Sequence, residues 1–462
     1  MLTSSELRPD TSNRPTWFRA DVALLVGVCA VSAAINLISV KAVSTSLVLM
    51  GEEMSVSIRD PLFSVEQHAQ ASVWSTNVGA PLYYWFASHL DPSYSLFSAR
   101  RWKAVAMALL APLVYLTLRR RLGCDILAAT FGGLVVALLP GVAMFGWLAT
   151  ENGLEAIPGV AGLLLATSRR RGWWAAPVLG ALSVSTYTSG LAWGAVICAV
   201  CGWRASRSDR RSVGLVAMAY VVAAGVVLLP LLWWVSGPRR LVAGGGTVDG
   251  PPLANLANLV NQLALTGRSY YFFSDAPALG SKALAGVVGL AVIVAAGARV
   301  RAMWPWLAVG VVTVALWIPA GNLPGVRRAV ALTIVAALAL SVALDILVRV
   351  ASHTAVVRTL AAAAAGAVVV SLAVTMVGWQ QSYVTGVRTL TADFPIPDGP
   401  MPTTFENWYG QLRNGSITEQ EMVRDHDGLR TLAVVWMLAD RQGRETSGLP
   451  TPAEIVAATV PR

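Results

Sequence analysis

Two neighbouring carboxylates follow the first long apolar stretch of the chain. Glu52 and Glu53 come shortly after residues 21–42, which are long and apolar enough to cross a bilayer, and Arg59 and Asp60 follow closely. An ionised carboxylate at the hydrocarbon edge can accept a proton from a hydroxyl group, and an arginine can hold an anion. The segment therefore has the residue types of an acid–base site, provided that the rest of the chain presents it at a membrane surface.

The composition places the chain in a membrane. Of the 462 residues, 55% are apolar and 13% are charged, whereas a soluble domain carries about 25% charged residues. Apolar runs of about 20 residues, the length that crosses a bilayer, recur along most of the chain. The sequence predicts an all-α polytopic membrane protein with about eleven transmembrane helices. They are expected near residues 21–42, 102–118, 125–148, 154–168, 173–188, 189–203, 213–235, 283–298, 303–319, 328–348 and 358–379.

The distribution of arginines predicts the orientation of these helices. Dense basic turns at 119–121, 169–171, 204–211 and 299–301 all fall on one side if the N-terminus is cytoplasmic, as the positive-inside rule requires. The predicted location is a bacterial cytoplasmic membrane, with the N-terminus inside and the C-terminus outside. These arginines account for the formal charge of +10, so no nucleic-acid partner is expected. Either two short helices or one long tilted helix fits residues 173–203.

This orientation leaves two large loops and a tail on the outer side. The loops comprise residues 43–101 and 236–282, and the aromatic, amphipathic content of the first predicts a helix lying in the membrane interface. From residue 380 onward the chain becomes more polar and includes a proline-rich stretch. We therefore predict a transmembrane domain, 1–379, and a small external module, 380–462.

Charged side chains gather at the predicted outer ends of the helices. Basic residues there need an anionic partner or water, because burying a charge in lipid costs about 2.5–3.5 kcal/mol. Glu151 and Glu155 are expected on the same side, at the top of the third and fourth helices. Asp345 is an exception near the cytoplasmic side and is expected to pair with Arg349 one turn later. The outer basic residues are Arg100, Arg101, Lys103, Arg239, Arg240, Arg268, Arg327 and Arg328.

The order of these motifs resembles the GT-C superfamily of membrane glycosyltransferases, which includes protein O-mannosyltransferases and the lipid A aminoarabinose transferase. The acidic pair stands where the family usually has Asp-Glu, and residues 80–85, "APLYYW", are similar to its "PPLYYW" segment. Residues 98–123 resemble its second span, which opens with an arginine and closes with paired arginines before a glycine. A span that ends in "LLPG" (138–141) is then followed by an acidic residue, Glu151. The likeness extends over residues 20–210 and continues in outline beyond them.

The resemblance implies the inverting transfer of a sugar from a polyprenyl-phosphate donor to an acceptor hydroxyl at the outer face. The acceptor would be an envelope glycan, a lipid or a protein, and membrane lipid surrounds the chain. A first-loop carboxylate acts as general base, and fixed cations stabilise the departing phosphate. Glu52 is thus predicted as the base and Glu53 as its support. The donor phosphate is assigned to Arg59, Arg327 and Arg328, with Arg239, Arg240 and Arg268 as second choices, and acceptor or sugar contact to Glu151, Asp60, Tyr83 and Tyr84. The two tyrosines also suit a role as interfacial anchors.

The chain departs from the family pattern at two places. Glu-Glu replaces Asp-Glu, and the extra methylene means that the roles of the two acids could be exchanged. Gly79 and Ala80 stand where relatives often have a basic residue and a proline. Some relatives hold a divalent metal with carboxylates, and His68 and His89 could join such a site here. Isolated loop histidines are usually surface groups, so no metal and no other cofactor is predicted.

Two other kinds of function compete with this interpretation. A transporter or flippase of lipid-linked or small-molecule substrates would have internal repeats, broken helices and polar groups near the bilayer midplane. No internal repeat is found, and residues 183–190, "SVSTYTSG", form a polar stretch that could line a cavity or pack helices. A noncatalytic membrane scaffold would have an arginine-rich outer face without a carboxylate site, and its tail would bind a partner.

Overall fold

The structure is a computed structural model, and the parts of the chain that it describes are entirely helices and their connections. This confirms the all-α prediction for these parts. The described residues are 14–43, 79–91, 96–149, 152–168, 172–187, 189–235, 252–265, 276–317, 330–350, 355–389 and 415.

Fourteen α-helices are described along the chain. In the first half they are α1 (Arg14–Val43), α2 (Gly79–Leu90), α3 (Leu96–Ala108), α4 (Leu110–Arg120), α5 (Ile126–Leu138), α6 (Pro140–Trp147), α7 (Ala156–Ala166), α8 (Ala176–Thr186) and α9 (Gly190–Ala205). The others are α10 (Arg210–Val235), α11 (Pro252–Val260), α12 (Lys282–Trp317), α13 (Val330–Val350) and α14 (Ala355–Thr389). A 3₁₀ turn, Trp173–Ala175, precedes α8, and a π turn, Asn261–Leu265, follows α11.

Six helices in the described part are long and apolar enough to cross a membrane. They are α1, the continuous pair α3–α4, α10, α12, α13 and α14, and the bent pair α5–α6 raises the number to seven. The protein is therefore a multi-pass membrane protein. The helices α7, α8 and α9 have 11, 11 and 16 residues, fewer than the 17–25 or so that cross a bilayer. Eleven spans therefore stay a prediction.

The predicted helices 283–298 and 303–319 correspond to the two segments of α12, which meet at Arg299. α12 has 36 residues, which corresponds to about 54 Å at 1.5 Å per residue. Arg299 has non-helical dihedrals (φ −133°, ψ 36°), so the helix is kinked there. The basic turn predicted at 299–301 coincides with this break in the helix.

Ion pairs tie together one end of the bundle. Asp345 on α13 is fully buried, and its carboxylate accepts hydrogen bonds from Arg299 at the kink and from the backbone N–H of Asp125, the latter at 2.6 Å. Arg349 Nε lies 2.8 Å from Asp345 Oδ2, which confirms the predicted pair. Asp345 thus joins the break in α12 to α13 and to the start of α5.

The starts of α1 and α5 lie at this same end. Arg119, in the last turn of α4, pairs with Asp21 of α1 at 2.9 Å. Arg349 donates to the carbonyl oxygen of Gly123, between α4 and α5, at 2.6 Å. We call the region of Asp21, Arg119, Arg299 and Asp345 the arginine end.

The three short helices run between the arginine end and the opposite end of the bundle. At the opposite end, Ser183 Oγ near the end of α8 donates to the backbone oxygen of Glu155, which precedes α7, at 2.7 Å. At the arginine end, Arg204 in the last turn of α9 donates to the carbonyl oxygen of Ser168 at 2.7 Å and stacks on Trp173. The ends of α7, α8 and α9 therefore alternate, as those of two short helices in 173–203 would. We call the opposite end, which contains Glu155, the Glu155 end.

The bend between α5 and α6 has a local cause. Pro140 is the first residue of α6, and the preceding Leu139 is extended (φ −60°, ψ 120°). A residue before proline is sterically driven out of the helical region, so one helix ends and another begins. The two axes differ by 57°. The bend leads the chain towards the Glu155 end, where the charged residues of the candidate site lie.

Candidate active site

Most of the predicted site residues lie outside the described residues. The structure therefore leaves their assigned roles as predictions. They are Glu52, Glu53, Arg59, Asp60, Glu151, Arg239, Arg240, Arg268, Arg327 and Arg328, together with His68.

A helix is present within the loop 43–101, where the sequence predicted one, and its two tyrosines attach it to the bundle. Its position in the membrane interface stays a prediction. Tyr84 on α2 is 2% exposed and packs in a small apolar cluster with Ala99 and Leu154. Tyr83 donates its hydroxyl hydrogen to the backbone oxygen of Trp102, and burial raises the pKa of Tyr83, so the phenol stays protonated. Both rings contact protein as anchors do, and a sugar contact for either stays a prediction.

A cluster of buried charges lies beside α2, at the Glu155 end. Arg100 and Lys103 of α3 are fully buried, and Glu155 is 1% exposed. The first two side chains are three residues apart on a helix, so they share one face. From the sequence, Arg100 and Lys103 were predicted to be outer basic residues, and no role was assigned to them. Their i, i+3 spacing in the sequence already indicated that both side chains lie on one face of α3.

Hydrogen bonds hold the cluster in one arrangement. Lys103 Nζ donates to the backbone oxygen of Asn152 at 2.7 Å, and Ser189 Oγ donates to Glu155 Oε1 at 2.6 Å. The second carboxylate oxygen, Glu155 Oε2, is buried and accepts no hydrogen bond from any residue in the described ranges. At the Glu155 end, α3, α7 and α9 are thus joined through one carboxylate and one ammonium group.

The surroundings of Glu155 make its carboxyl group unusual. The residue lies in the turn 152–155, outside the six long spans. Burial raises the pKa of Glu155, while the hydrogen bond from Ser189 and the positive charge of Lys103 lower it in part. A carboxyl group held between these effects can accept or release a proton closer to neutral pH than an exposed glutamate. It can also accept a hydrogen bond from a hydroxyl group.

Two glycines shape the backbone around this carboxyl group. Gly153 has φ +89°, a left-handed conformation that side chains with a Cβ rarely adopt. Gly190 begins α9 so close to α8 that a Cβ there would lie 2.0 Å from the backbone oxygen of Ser183. This close approach brings Ser189 within reach of Glu155.

We expect the substitution Gly190→Ala to destabilise the protein. The added methyl group would collide with backbone atoms of Ser183 and Val184, which cannot rotate away. The expected loss is about 1–3 kcal/mol, measured as a lower midpoint of thermal unfolding in detergent. Gly214→Ala on α10 is the matched control, since nothing lies within 4 Å of a Cβ there. Equal midpoints for the two variants would contradict the close approach.

The described residues show no evident metal site. Within the described ranges, no three His, Cys, Asp or Glu side chains come together as metal ligands would. His89, which the sequence offered as a ligand, is exposed at the end of α2. The other ligands that the sequence offered, His68 and the loop carboxylates, lie outside the described ranges. The absence of a metal therefore stays a prediction.

The arrangement of helices has counterparts among solved structures. The crystal structure of ArnT from Cupriavidus metallidurans in the apo state matches it with a TM-score of 0.50, over 95% of this chain and 75% of that one. The fold resembles that of ArnT. The crystal structure of ArnT from Cupriavidus metallidurans bound to undecaprenyl phosphate matches with a TM-score of 0.46, over 96% of this chain and 75% of that one. Sequence identity to ArnT is 16% in both cases, so the likeness concerns the fold alone.

Comparison of the sequence itself adds no further relative. No family model and no curated protein matches the chain. ArnT is a GT-C membrane glycosyltransferase, and this chain resembles it in fold.

Proposed function

We propose that this protein is an inverting glycosyltransferase that moves a sugar from a polyprenyl-phosphate donor to an acceptor hydroxyl. The observation that carries the proposal is the ArnT-like arrangement of helices over 95% of the chain. The sequence motifs support it, because they follow the order of the same superfamily. The acceptor is an envelope glycan, a lipid or a protein.

The Glu155 end is the proposed place of transfer. α1 starts at the arginine end and therefore finishes at the Glu155 end, and α2 packs at the Glu155 end through Tyr84. Glu52 and Glu53 lie in the chain between these two helices. Arg327 and Arg328 directly precede α13, whose other end carries Asp345. The helices that flank the two glutamates and the two arginines thus support a common location for all four residues, at the Glu155 end.

The proposed step forms one bond and breaks one. Glu52 accepts the proton of the acceptor hydroxyl as its oxygen bonds to the anomeric carbon, and Glu53 supports this carboxylate. The bond between the anomeric carbon and the phosphate oxygen breaks, and its electron pair leaves with the polyprenyl phosphate. Attack opposite the leaving group inverts the anomeric centre. Cations that already lie near the departing oxygen stabilise its new charge without reorganisation.

The charges needed for this step are distributed over several segments. The proposed phosphate ligands are Arg59, Arg327 and Arg328, with Arg239, Arg240 and Arg268 as alternatives. Glu151 and Asp60 are proposed to contact acceptor or sugar. The buried Arg100 and Lys103 add positive charge to the same end of the bundle. We place this end on the outer face of a bacterial cytoplasmic membrane, with residues 380–462 as an external module.

Reconstituted protein tests the proposal. Vesicles that contain the purified chain are supplied with defined polyprenyl-phosphate hexose and pentose donors and soluble hydroxyl acceptors. We expect release of polyprenyl phosphate together with a glycoside of inverted anomeric configuration, determined by NMR. Movement of intact lipid-linked sugar across the vesicle membrane without cleavage would overturn the proposal in favour of a transporter. Donor cleavage with retained configuration would overturn the proposed single displacement.

A further inference from the structure

Arginines and tryptophans converge on the part of the arginine end formed by α4, α7, α9 and α10. Arg121, just after α4, donates to the backbone oxygen of Leu164 on α7 at 3.2 Å. Arg204 donates to the backbone oxygen of Ser168, just beyond α7. Two segments that are distant in sequence therefore bring their basic residues to one place, on either side of the end of α7. This surface, which we call the arginine–tryptophan surface, comprises Arg120, Arg121, Trp173, Trp203, Arg204, Arg207, Arg210 and Arg211.

Two guanidinium groups on this surface stack on tryptophan rings. Arg204 lies 4.3 Å from the centroid of Trp173, and Arg207 lies 4.4 Å from that of Trp203. Trp203 is 50% exposed. Trp173 is buried, and Arg204 already donates to the backbone oxygens of Ala166 and Ser168. The guanidinium group of Arg207 over the exposed Trp203 keeps its N–H groups at the edge of its plane, where they can bind phosphate oxygens in a bidentate manner. Tryptophan itself prefers the boundary between hydrocarbon and headgroups.

The charge of the surface is strongly unbalanced. Between Trp203 and Arg211 the chain has four arginines and one acidic residue, Asp209. Asp209 Oδ1 accepts a hydrogen bond from the backbone N–H of Ser212 at 3.2 Å, and the Ser212 bonds lower the pKa of Asp209. The carboxylate therefore caps α10, and the net positive charge of the surface is available to a ligand.

The position of the surface relative to the hydrocarbon indicates which anion it meets. The membrane-spanning part of α10 begins at Arg210, so the exposed Arg207, Arg210 and Arg211 lie where the span enters the headgroup layer. Phospholipid phosphates occupy this layer. We propose that the arginine–tryptophan surface binds the headgroups of anionic phospholipids. The positive-inside rule explains the sign of these charges, but it requires neither their convergence nor the two stacked rings. The inference does not depend on the proposed sugar transfer.

Lipid titration without a sugar donor tests this inference. Purified protein in detergent is titrated with phosphatidylglycerol, and bound lipid is counted by native mass spectrometry, with phosphatidylcholine as the neutral lipid. In the test variant Arg207→Gln, Arg210→Gln and Arg211→Gln are combined. Because all three side chains are exposed, the variant is expected to fold, and we expect its affinity for phosphatidylglycerol to fall at least fivefold.

A second variant removes the same charge elsewhere. Arg19→Gln, Arg301→Gln and Arg358→Gln change three exposed arginines that lie on three separate helices, and we expect less than a twofold loss. Equal losses in the two triple variants would overturn the inference, because net charge alone would then explain binding. Unchanged affinity in the first variant would overturn it as well.

The single variant Arg207→Lys separates charge from stacking. It keeps the positive charge but removes the planar fork over Trp203. We expect at least a twofold loss of phosphatidylglycerol affinity, and wild-type affinity would contradict a role for the stacked guanidinium.

Discussion

Glu52→Gln is expected to abolish sugar transfer while leaving expression and folding unchanged. Glutamine has nearly the same shape as glutamate but cannot accept the proton of the acceptor hydroxyl. Removal of a general base costs about 10²–10⁴-fold in rate, so we expect at least a hundredfold lower kcat in the vesicle assay. Asp209→Asn is the control, because that exposed carboxylate lies at the other end of the bundle.

A parallel Glu53→Gln variant decides which of the two neighbouring acids is the base. The two side chains could exchange roles, because the chain has Glu-Glu where the superfamily usually has Asp-Glu. A larger loss for Glu53→Gln than for Glu52→Gln would assign the base to Glu53. Full activity in both variants would contradict the acid–base role of the pair.

Lys103→Met is expected to be the most destabilising single substitution in the buried cluster. It removes the ammonium group that bonds to Asn152 and leaves Glu155 buried without that positive charge. Removing one partner of a buried charge pair costs about 3–5 kcal/mol. Chemical unfolding in detergent, followed by tryptophan fluorescence, measures this loss.

The double variant Lys103→Met with Glu155→Gln tests whether the two charges are coupled. If they are, neutralising Glu155 should recover part of the stability lost in Lys103→Met, so the two effects will not add. Additive losses would show that Lys103 acts only through its bond to the backbone of Asn152. The control is Lys282→Met, because that lysine is exposed at the start of α12.

Hydropathy predicted where most helices lie but not how two of them join. The run predicted at 328–348 corresponds to α13, Val330–Val350, because a long apolar segment is also a long helix. The basic residues 299–301 predicted a turn between two spans, and the two segments of α12 meet there, at Arg299. The sequence did not show that Arg299, at this break, donates a hydrogen bond to Asp345, far along the chain. Local hydropathy cannot predict an ion-pair partner that is so distant in sequence.

The candidate site was predictable only in part for a related reason. The first-loop helix could be predicted from its aromatic residues, and α2 carries Tyr83 and Tyr84 as expected. The buried cluster depends on contacts between α3, the turn before α7 and the start of α9. Its members Lys103, Glu155 and Ser189 are separated by long stretches of chain. The spacing of Arg100 and Lys103 shows a shared helix face, but not what that face meets.

The hydrogen bonds and ion pairs of Asp345 have a consequence for biosynthesis. The backbone N–H of Asp125 and the carboxylate that accepts its hydrogen bond are 220 positions apart. A ribosome that adds about 5–20 residues per second needs on the order of 10–40 s to cover that distance. During this time the early helices have already entered the translocon. Arg299, which also donates to Asp345, is not yet synthesised for most of this interval. For this time the hydrogen-bond donor of Asp125 is therefore already synthesised while its acceptor, the Asp345 carboxylate, is not.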